Sequence, residues 1–166
     1  VTLRLATEAD AEQIRAIYNH EVLHTTATFD LVPRSLPDQR AWLAARSGAF
    51  STVVATDPSD PDGDVVGFAA LSPYKERAAY RTSVEDSVYV RQDRAGQGIG
   101  RLLLTELLQV AATSGFHAVF ARINAASEAS IGLHRACGFE LVGIEREVGR
   151  KFNRWHDVAL MEYLIT

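Results

Sequence analysis

Three glycines alternate with other residues at Gly96, Gly98 and Gly100, inside the stretch DRAGQGIGRLLLTELLQVA from Asp93 to Ala111. The strand-like segment SVYV leads in, and a long apolar run of helical character follows. At a helix start several backbone N–H groups have no partner within the helix, and the helix dipole adds partial positive charge. Bare glycine backbone lets an anion approach those groups, so the arrangement is a cradle for a phosphate or pyrophosphate. A tight turn with positive φ at one residue would need a single glycine; three in five positions ask for more. No Gly-Lys-Ser/Thr follows, unlike the phosphate loop of an ATPase. Arg101 stands where a dinucleotide fingerprint needs its third glycine.

The second chemical signal is a carboxylate inside an apolar strand. Glu85 lies in SVEDSVYV (Ser83–Val90), where a charge is uncommon unless it is paired or used. Side chains alternate along a strand, so Glu85 shares a face with Ser87 and Tyr89 while Asp86 points the other way. Glu85 is either a proton acceptor or half of an ion pair with Arg81 or another arginine. Cys137 reads as a small buried hydrophobe. The five histidines show no ligand spacing, so no metal is expected.

These groups need a scaffold. A chain of 166 residues fits one domain, 1–166, with a sizeable core. It has 17 basic and 21 acidic residues, net −4, with the Lys and Arg scattered, so nucleic acid is not an expected partner. The apolar runs are too short to span a membrane, and VTLRLATEAD lacks the layout of a signal peptide. One cysteine excludes an intramolecular disulfide and fits a reducing cytoplasm.

TLRLA reads as a strand, and Thr7 as the cap of a helix carrying Ile14, Ile17, Tyr18 and Val22. Ser35 or Asp38 caps a second helix with Trp42, Leu43 and Phe50 on or near its apolar side. STVVAT and VVGFAAL flank DPSDPDGD (Asp57–Asp64), whose two prolines and glycine mark a hairpin connection rather than a calcium loop. A helix from Gly98 to Thr113, the strand HAVFARI, a short helix ended by Gly138, and the strands FELVGIERE and WHDVALMEYLI complete the chain. The order is strand, two helices, three strands, helix, strand, helix, two strands, a mixed α/β pattern.

GQGIGRLLLTELL resembles the acetyl-CoA loop and helix of the GNAT N-acetyltransferases, whose pattern is Gln/Arg-x-x-Gly-x-Gly/Ala. Gly98 and Gly100 match the two small positions, and Ala95 stands where the family usually has Gln or Arg. RINAASEASIGLHRACGFELVG supplies the family's strand-end Asn124, then Leu133-His134 and Gly138-Phe139. IYNHEVLHTTATFD, YKERAAYRTSVEDSVYV, GLHRACGFELVG and GRKFNRWHDVALMEY resemble the phosphinothricin acetyltransferase-like branch, which includes enzymes acting on methionine sulfoximine. Asn153 replaces a glycine usual in the last stretch.

The resemblance implies a GNAT fold: a mixed central sheet of about six to seven strands flanked by about four helices. It implies transfer of the acetyl group of acetyl-CoA to the primary amine of a small amino-acid-like molecule. The thioester would be held by backbone amides of Val88, Tyr89 and Val90, where the family parts two strands. The pyrophosphate would lie on Arg94, Ala95, Gly96, Gln97, Gly98, Ile99, Gly100 and Arg101. Asn124 and Ser130 would contact the pantetheine side of the cofactor. Glu85 would be the base, directly or through water. His134 stands where many members place a tyrosine acid, and is either a proton donor to the leaving sulfur or a packing contact. Lys75, Arg77, Tyr80 and Arg81 offer charge-assisted bonds to an acceptor carboxylate, with Phe29 of TTATF on the opposite wall. The branch forms homodimers. A protein N-terminal or lysine acetyltransferase and a non-catalytic acetyl-CoA-binding module are the alternatives.

Overall fold

The structure is a computed structural model, and it describes residues 1–46 and 48–166. In chain order it holds β1 (Thr2–Leu5), α1 (Ala11–His24), α2 (Leu36–Ala45), β2 (Thr52–Thr56), β3 (Val65–Pro73), β4 (Ser83–Val90), α3 (Ile99–Thr113), β5 (Ala118–Asn124), α4 (Glu128–Ala136), β6 (Glu140–Lys151) and β7 (Arg154–Leu164). The strands form one sheet in the order β1-β2-β3-β4-β5-β7-β6, matching the expected mixed architecture of seven strands and four longer helices. Every neighbouring pair is antiparallel except β4 and β5.

Strand alternation gives the sheet two apolar faces. One packs Val53, Val66, Leu71, Val84 and Val119 against Ile99, Leu103, Leu104 and Leu107 of α3. The other packs Val54, Val65 and Phe68 against Ile14, Ile17, Tyr18 and Val22 of α1, with Trp42 and Leu43 of α2 alongside. The helices therefore cover both faces, and a group that passes between two strands passes from one layer to the other. No helix among the described residues is long and apolar enough to cross a membrane.

Some local details differ from the sequence expectation. A short 3-10 turn, Glu8–Asp10, stands between Thr7 and α1. Arg4 clamps the Asp10 carboxylate, which also accepts the Thr7 N–H, so the turn is fixed before the helix begins. Ser35 caps α2 by accepting the Asp38 N–H at 3.2 Å. That helix ends at Ala45, so Phe50 is not on it; its ring packs on Phe116, 5.6 Å away, in the layer of α3. Asp57–Asp64 does connect β2 and β3, closed by the Asp57 N–H on the Asp64 carbonyl at 2.7 Å.

Candidate active site

β4 and β5 pair in parallel only at Ser83↔Ala118, Val84↔Val119 and Glu85↔Phe120. Beyond Glu85 they part, while β4 stays bonded to β3 as far as Gly67↔Val90 and β5 to β7 as far as Asn124↔Val158. The gap is the root of a cleft of about 700 Å³. Glu85, Ser87, Tyr89, Arg122 and Asn124 line it from the α1/α2 face; Asp86, Val88, Ser130 and His134 line it from the α3/α4 face. The cleft therefore runs through the sheet.

Glu85 sits at the point of divergence. Among the described residues its carboxylate accepts no hydrogen bond; the nearest cation is Arg122, with Nε 3.6 Å from Oε1. Arg122, rather than Arg81, is thus its arginine neighbour, and Arg122 is bonded more closely to Glu145. Burial pushes the Glu85 carboxyl above the ordinary range, Arg122 opposes this, and Asp86 adds to it.

On the other face Asp86 and His134 form a buried pair, Oδ2 to Nε2 at 2.8 Å. The second ring nitrogen, Nδ1, donates to the Ser130 carbonyl at 2.8 Å. Both partners are acceptors, so the ring is suited to the doubly protonated imidazolium. Burial works against that charge, but the bond to Asp86, the charge of Asp86 and the Ser130 carbonyl outweigh it and raise the His134 pKa above its usual value.

The glycine loop leads from β4 into α3. Gly96 and Gly98 have φ of 75° and 80°, the left-handed region that favours glycine, and a Cβ at either would meet nothing within 4 Å. Open backbone at the N-terminus of a 15-residue helix fits an approaching pyrophosphate. Gly100 has a different reason: a Cβ there would stand 3.3 Å from Leu133 Cδ2 and 3.7 Å from Val90 Cγ2, so its smallness lets α3 approach α4 and β4. The side chain of Arg94 is turned away from the loop's open side, onto Gln97 at 2.9 Å, Asp60 at 2.8 Å and Asp57 at 3.1 Å. Arg91 adds a 2.6 Å bond to Asp60, and these cations hold the Asp60 carboxyl down to about 2. The acidic hairpin turn thereby anchors the loop, on a chain whose Ala95 offers no side chain for that purpose. Arg101 is exposed on the first turn of α3.

Asn124, at the end of β5, accepts the Ala126 N–H at 2.9 Å and lies 3.3 Å from His156 Nδ1, which sets the turn into α4. The segment Thr25–Phe29 forms one wall of the cleft. It is held from below by Lys151, whose ammonium donates to the Thr28 carbonyl at 2.7 Å, and by the Tyr18 hydroxyl, 2.9 Å from Thr28 Oγ1. Phe29 lies across Gly149, where a Cβ would meet its ring. Lys75, Arg77, Tyr80 and Arg81 are exposed on the β3–β4 connection and do not line the cleft of the single chain. Tyr74 stacks on Phe120 at 4.3 Å and Lys75 stands over the Tyr74 and Tyr80 rings, which folds that connection beside the register partner of Glu85.

Besides Arg122, two cations in the cleft escaped the sequence reading. Arg34 lies 3.7 Å from the Tyr18 ring centre and 4.7 Å from that of Trp42; Arg46 lies 4.1 Å from Trp42. The Trp42–Arg46 spacing of four residues, from α2 to the residue that caps it, was the available signal; Arg34 comes from a loop and had none.

An acetyltransferase (GNAT) domain model matches residues 3–160. A phosphinothricin N-acetyltransferase of Streptomyces coelicolor is 41% identical over 98% of this chain and 95% of its own. An L-methionine sulfoximine/L-methionine sulfone acetyltransferase of Pseudomonas paraeruginosa is 40% identical over 97% of this chain and 92% of its own. The crystal structure of a GNAT superfamily phosphinothricin acetyltransferase from Sinorhizobium meliloti, in complex with AcCoA, superposes with a TM-score of 0.93 at 39% identity, covering 99% of this chain and 88% of that one. The parted strands, the open glycine loop and these likenesses agree: the chain belongs to the GNAT acetyltransferase family.

Proposed function

We propose that this enzyme acetylates the primary amine of a small amino-acid-like acceptor, of the phosphinothricin, methionine sulfoximine or methionine sulfone type, with Glu85 as the base. The observation that carries the reading is the Glu85 carboxylate itself. It stands at the mouth of the gap between β4 and β5, free of hydrogen bonds among the described residues and held above the ordinary carboxyl range. A base of that kind takes a proton from an ammonium group and leaves the amine ready to attack. The names of the two relatives support the acceptor class.

Acetyl-CoA supplies the activated acetyl group. Val88, Tyr89 and Val90 lie on the β4 edge released from β5, where their backbone would polarise a thioester carbonyl. The loop Gly96–Gly100 would carry the pyrophosphate on its amides, with Arg94 ordering it through Asp57 and Asp60 rather than touching the anion. Asn124 and Ser130 would border the pantetheine arm. We give His134 a positioning role. Both its ring N–H groups already have acceptors, so proton donation to the leaving sulfur would break a buried bond. Phe29 would pack on the acceptor's methylenes, and the basic connection with Lys75, Arg77, Tyr80 and Arg81 would form the outer rim. A single half-buried cysteine, Cys137, fits work in the cytoplasm.

A panel of amines with acetyl-CoA, read by release of free CoA, tests this function. Methionine sulfone, methionine sulfoximine and phosphinothricin are expected to turn over well above ordinary polyamines and peptide N-termini. Preference for the peptides would make the chain a protein acetyltransferase, and acetyl-CoA binding without turnover on any amine would make it a sensor module.

The assembly we propose is a homodimer through β6. This strand is at the sheet edge and exposes Leu141, Val142, Ile144 and Val148 about half-way, with Phe152 and Trp155 exposed in and just after the turn to β7. A long apolar edge left open invites pairing or aggregation, and a second copy would cover it. Sedimentation equilibrium is expected to give twice the chain mass at micromolar concentration; a monomer mass at all concentrations would refute the dimer.

A further inference from the structure

Among the described residues the least exposed arginines are Arg15, Arg34, Arg46, Arg91 and Arg94. Arg15, Arg91 and Arg94 each have a carboxylate within 3.1 Å. Arg34 and Arg46 have none within 4.0 Å among the described residues, and both line the cleft on the acceptor side. A half-buried cation without an anion is costly, and two of them near one tryptophan repel each other. Burial and the charge of Arg34 lower the Arg46 pKa to about 10, which leaves it charged at neutral pH. Arg34 donates to the neutral Gln39 Oε1 at 3.0 Å, so the pair still offers a place for an anion from outside the chain.

The hydrogen bonds of Arg46 limit where that anion would sit. Its Nε and Nη2 donate to Ser72 Oγ at 3.2 and 2.9 Å, and Nη1 donates to the Trp42 carbonyl at 3.2 Å. Of five guanidinium N–H groups two remain, the number a carboxylate accepts in a fork. Ser72 is the register partner of Glu85 across β3 and β4, and directly opposed residues hold their Cβ atoms about 4.5–5.5 Å apart. An α-amino acid separates its amine from its carboxyl carbon by one carbon. Through Ser72, Arg46 thus lies in the same cleft as Glu85, where an acceptor carrying both a carboxylate and an amine could address both groups.

We infer that Arg46, with Arg34 beside the same Trp42 ring, is the receptor for the acceptor's carboxylate and selects acceptors that carry one. The inference rests on the reading of the acceptor as an amino-acid-like amine. It assigns the inner contact to the end of α2, whereas Arg77 and Arg81 stay on the rim.

The test compares methionine sulfone with its decarboxylated amine in steady-state kinetics, using wild-type enzyme, Arg46→Gln and Arg77→Gln. Wild type is expected to favour the amino acid by at least about tenfold in kcat/KM. Arg46→Gln should raise the KM for the amino acid by roughly 10- to 100-fold, as loss of a charge-assisted bond does. It should leave the KM for acetyl-CoA and the constants for the decarboxylated amine near their wild-type values, and Arg77→Gln should have the smaller effect. Equal use of both acceptors by wild type overturns the inference and leaves acetyl transfer standing. So does a wild-type KM in Arg46→Gln, or an equal loss on both acceptors, which is what a residue that merely finishes α2 would give. If Arg46→Gln does not fold, equal use of both acceptors by wild type still overturns the inference. A wild-type enzyme that acetylates neither compound overturns the acceptor reading itself, and the Arg46 assignment with it.

Discussion

Glu85→Gln is expected to lower kcat by about 10²- to 10⁴-fold, the usual worth of a positioned general base, while acetyl-CoA still binds. Glutamine keeps the size and polarity of the side chain but cannot take the proton. The pH profile should change with it. Burial raises the Glu85 pKa, so the acid limb of the wild-type kcat/KM profile should lie above the ordinary carboxyl value of about 4.3. In the variant that limb should vanish with the activity. Wild-type turnover in Glu85→Gln, or an unchanged acid limb, would remove Glu85 from the mechanism.

The same substitution separates a base from a structural ion pair. A carboxyl whose pKa is raised on folding contributes stability below its unfolded pKa and loses it as pH rises through the folded value. At neutral pH the ionised Glu85 is thus a liability to the fold. Arg122 does not depend on it, since it stays paired with Glu145. Glu85→Gln should therefore be at least as stable as wild type at neutral pH. A marked loss of stability would mean that the 3.6 Å pair with Arg122 matters more to the fold than to the chemistry.

What was readable in the sequence was what local geometry dictates. Gly96 and Gly98 announce a backbone conformation, and they adopt it. Glu85 was visible because a carboxylate in an apolar strand needs a reason, and strand alternation put Asp86 on the opposite face without any tertiary information. Long-range pairing was invisible. His134 lies 48 residues from Asp86, and nothing in SEASIGLHRAC says that its ring faces an aspartate rather than a cofactor. The acidic hairpin turn was recognised as a turn, but its role as the anchor of Arg91 and Arg94 depends on how β3 and β4 align. The basic run Lys75–Arg81 attracted attention because its charges are adjacent in the chain. Arg34 and Arg46 did not, because their convergence on Trp42 exists only once α2 packs beside Phe68.

The second large effect belongs to the buried Asp86–His134 pair. Both side chains are about 5% exposed or less. Removing one member of such a pair leaves an uncompensated buried charge, which costs about 3–5 kcal/mol, or roughly 6–20 °C in Tm for a chain of this size. Asp86→Ala is expected to lose that much in denaturant unfolding, and the loss should depend on pH. The His134 pKa is raised on folding, so the pair's contribution is fully present below the unfolded value of about 6.5. It is lost as pH rises through the folded value. Without Asp86, burial acts on the ring unopposed by that carboxylate, and His134 would shed its proton more readily. The difference between wild type and Asp86→Ala should therefore be largest below the unfolded value of about 6.5 and shrink as pH rises through the folded value. Asp86→Asn, which still offers an acceptor oxygen but no charge, should fall between the two. A difference that stays constant across that range would mean that Asp86 merely fills space. A difference that grows with pH would mean that the ring is neutral in the folded enzyme, and the positioning role given to a charged His134 would have to be abandoned.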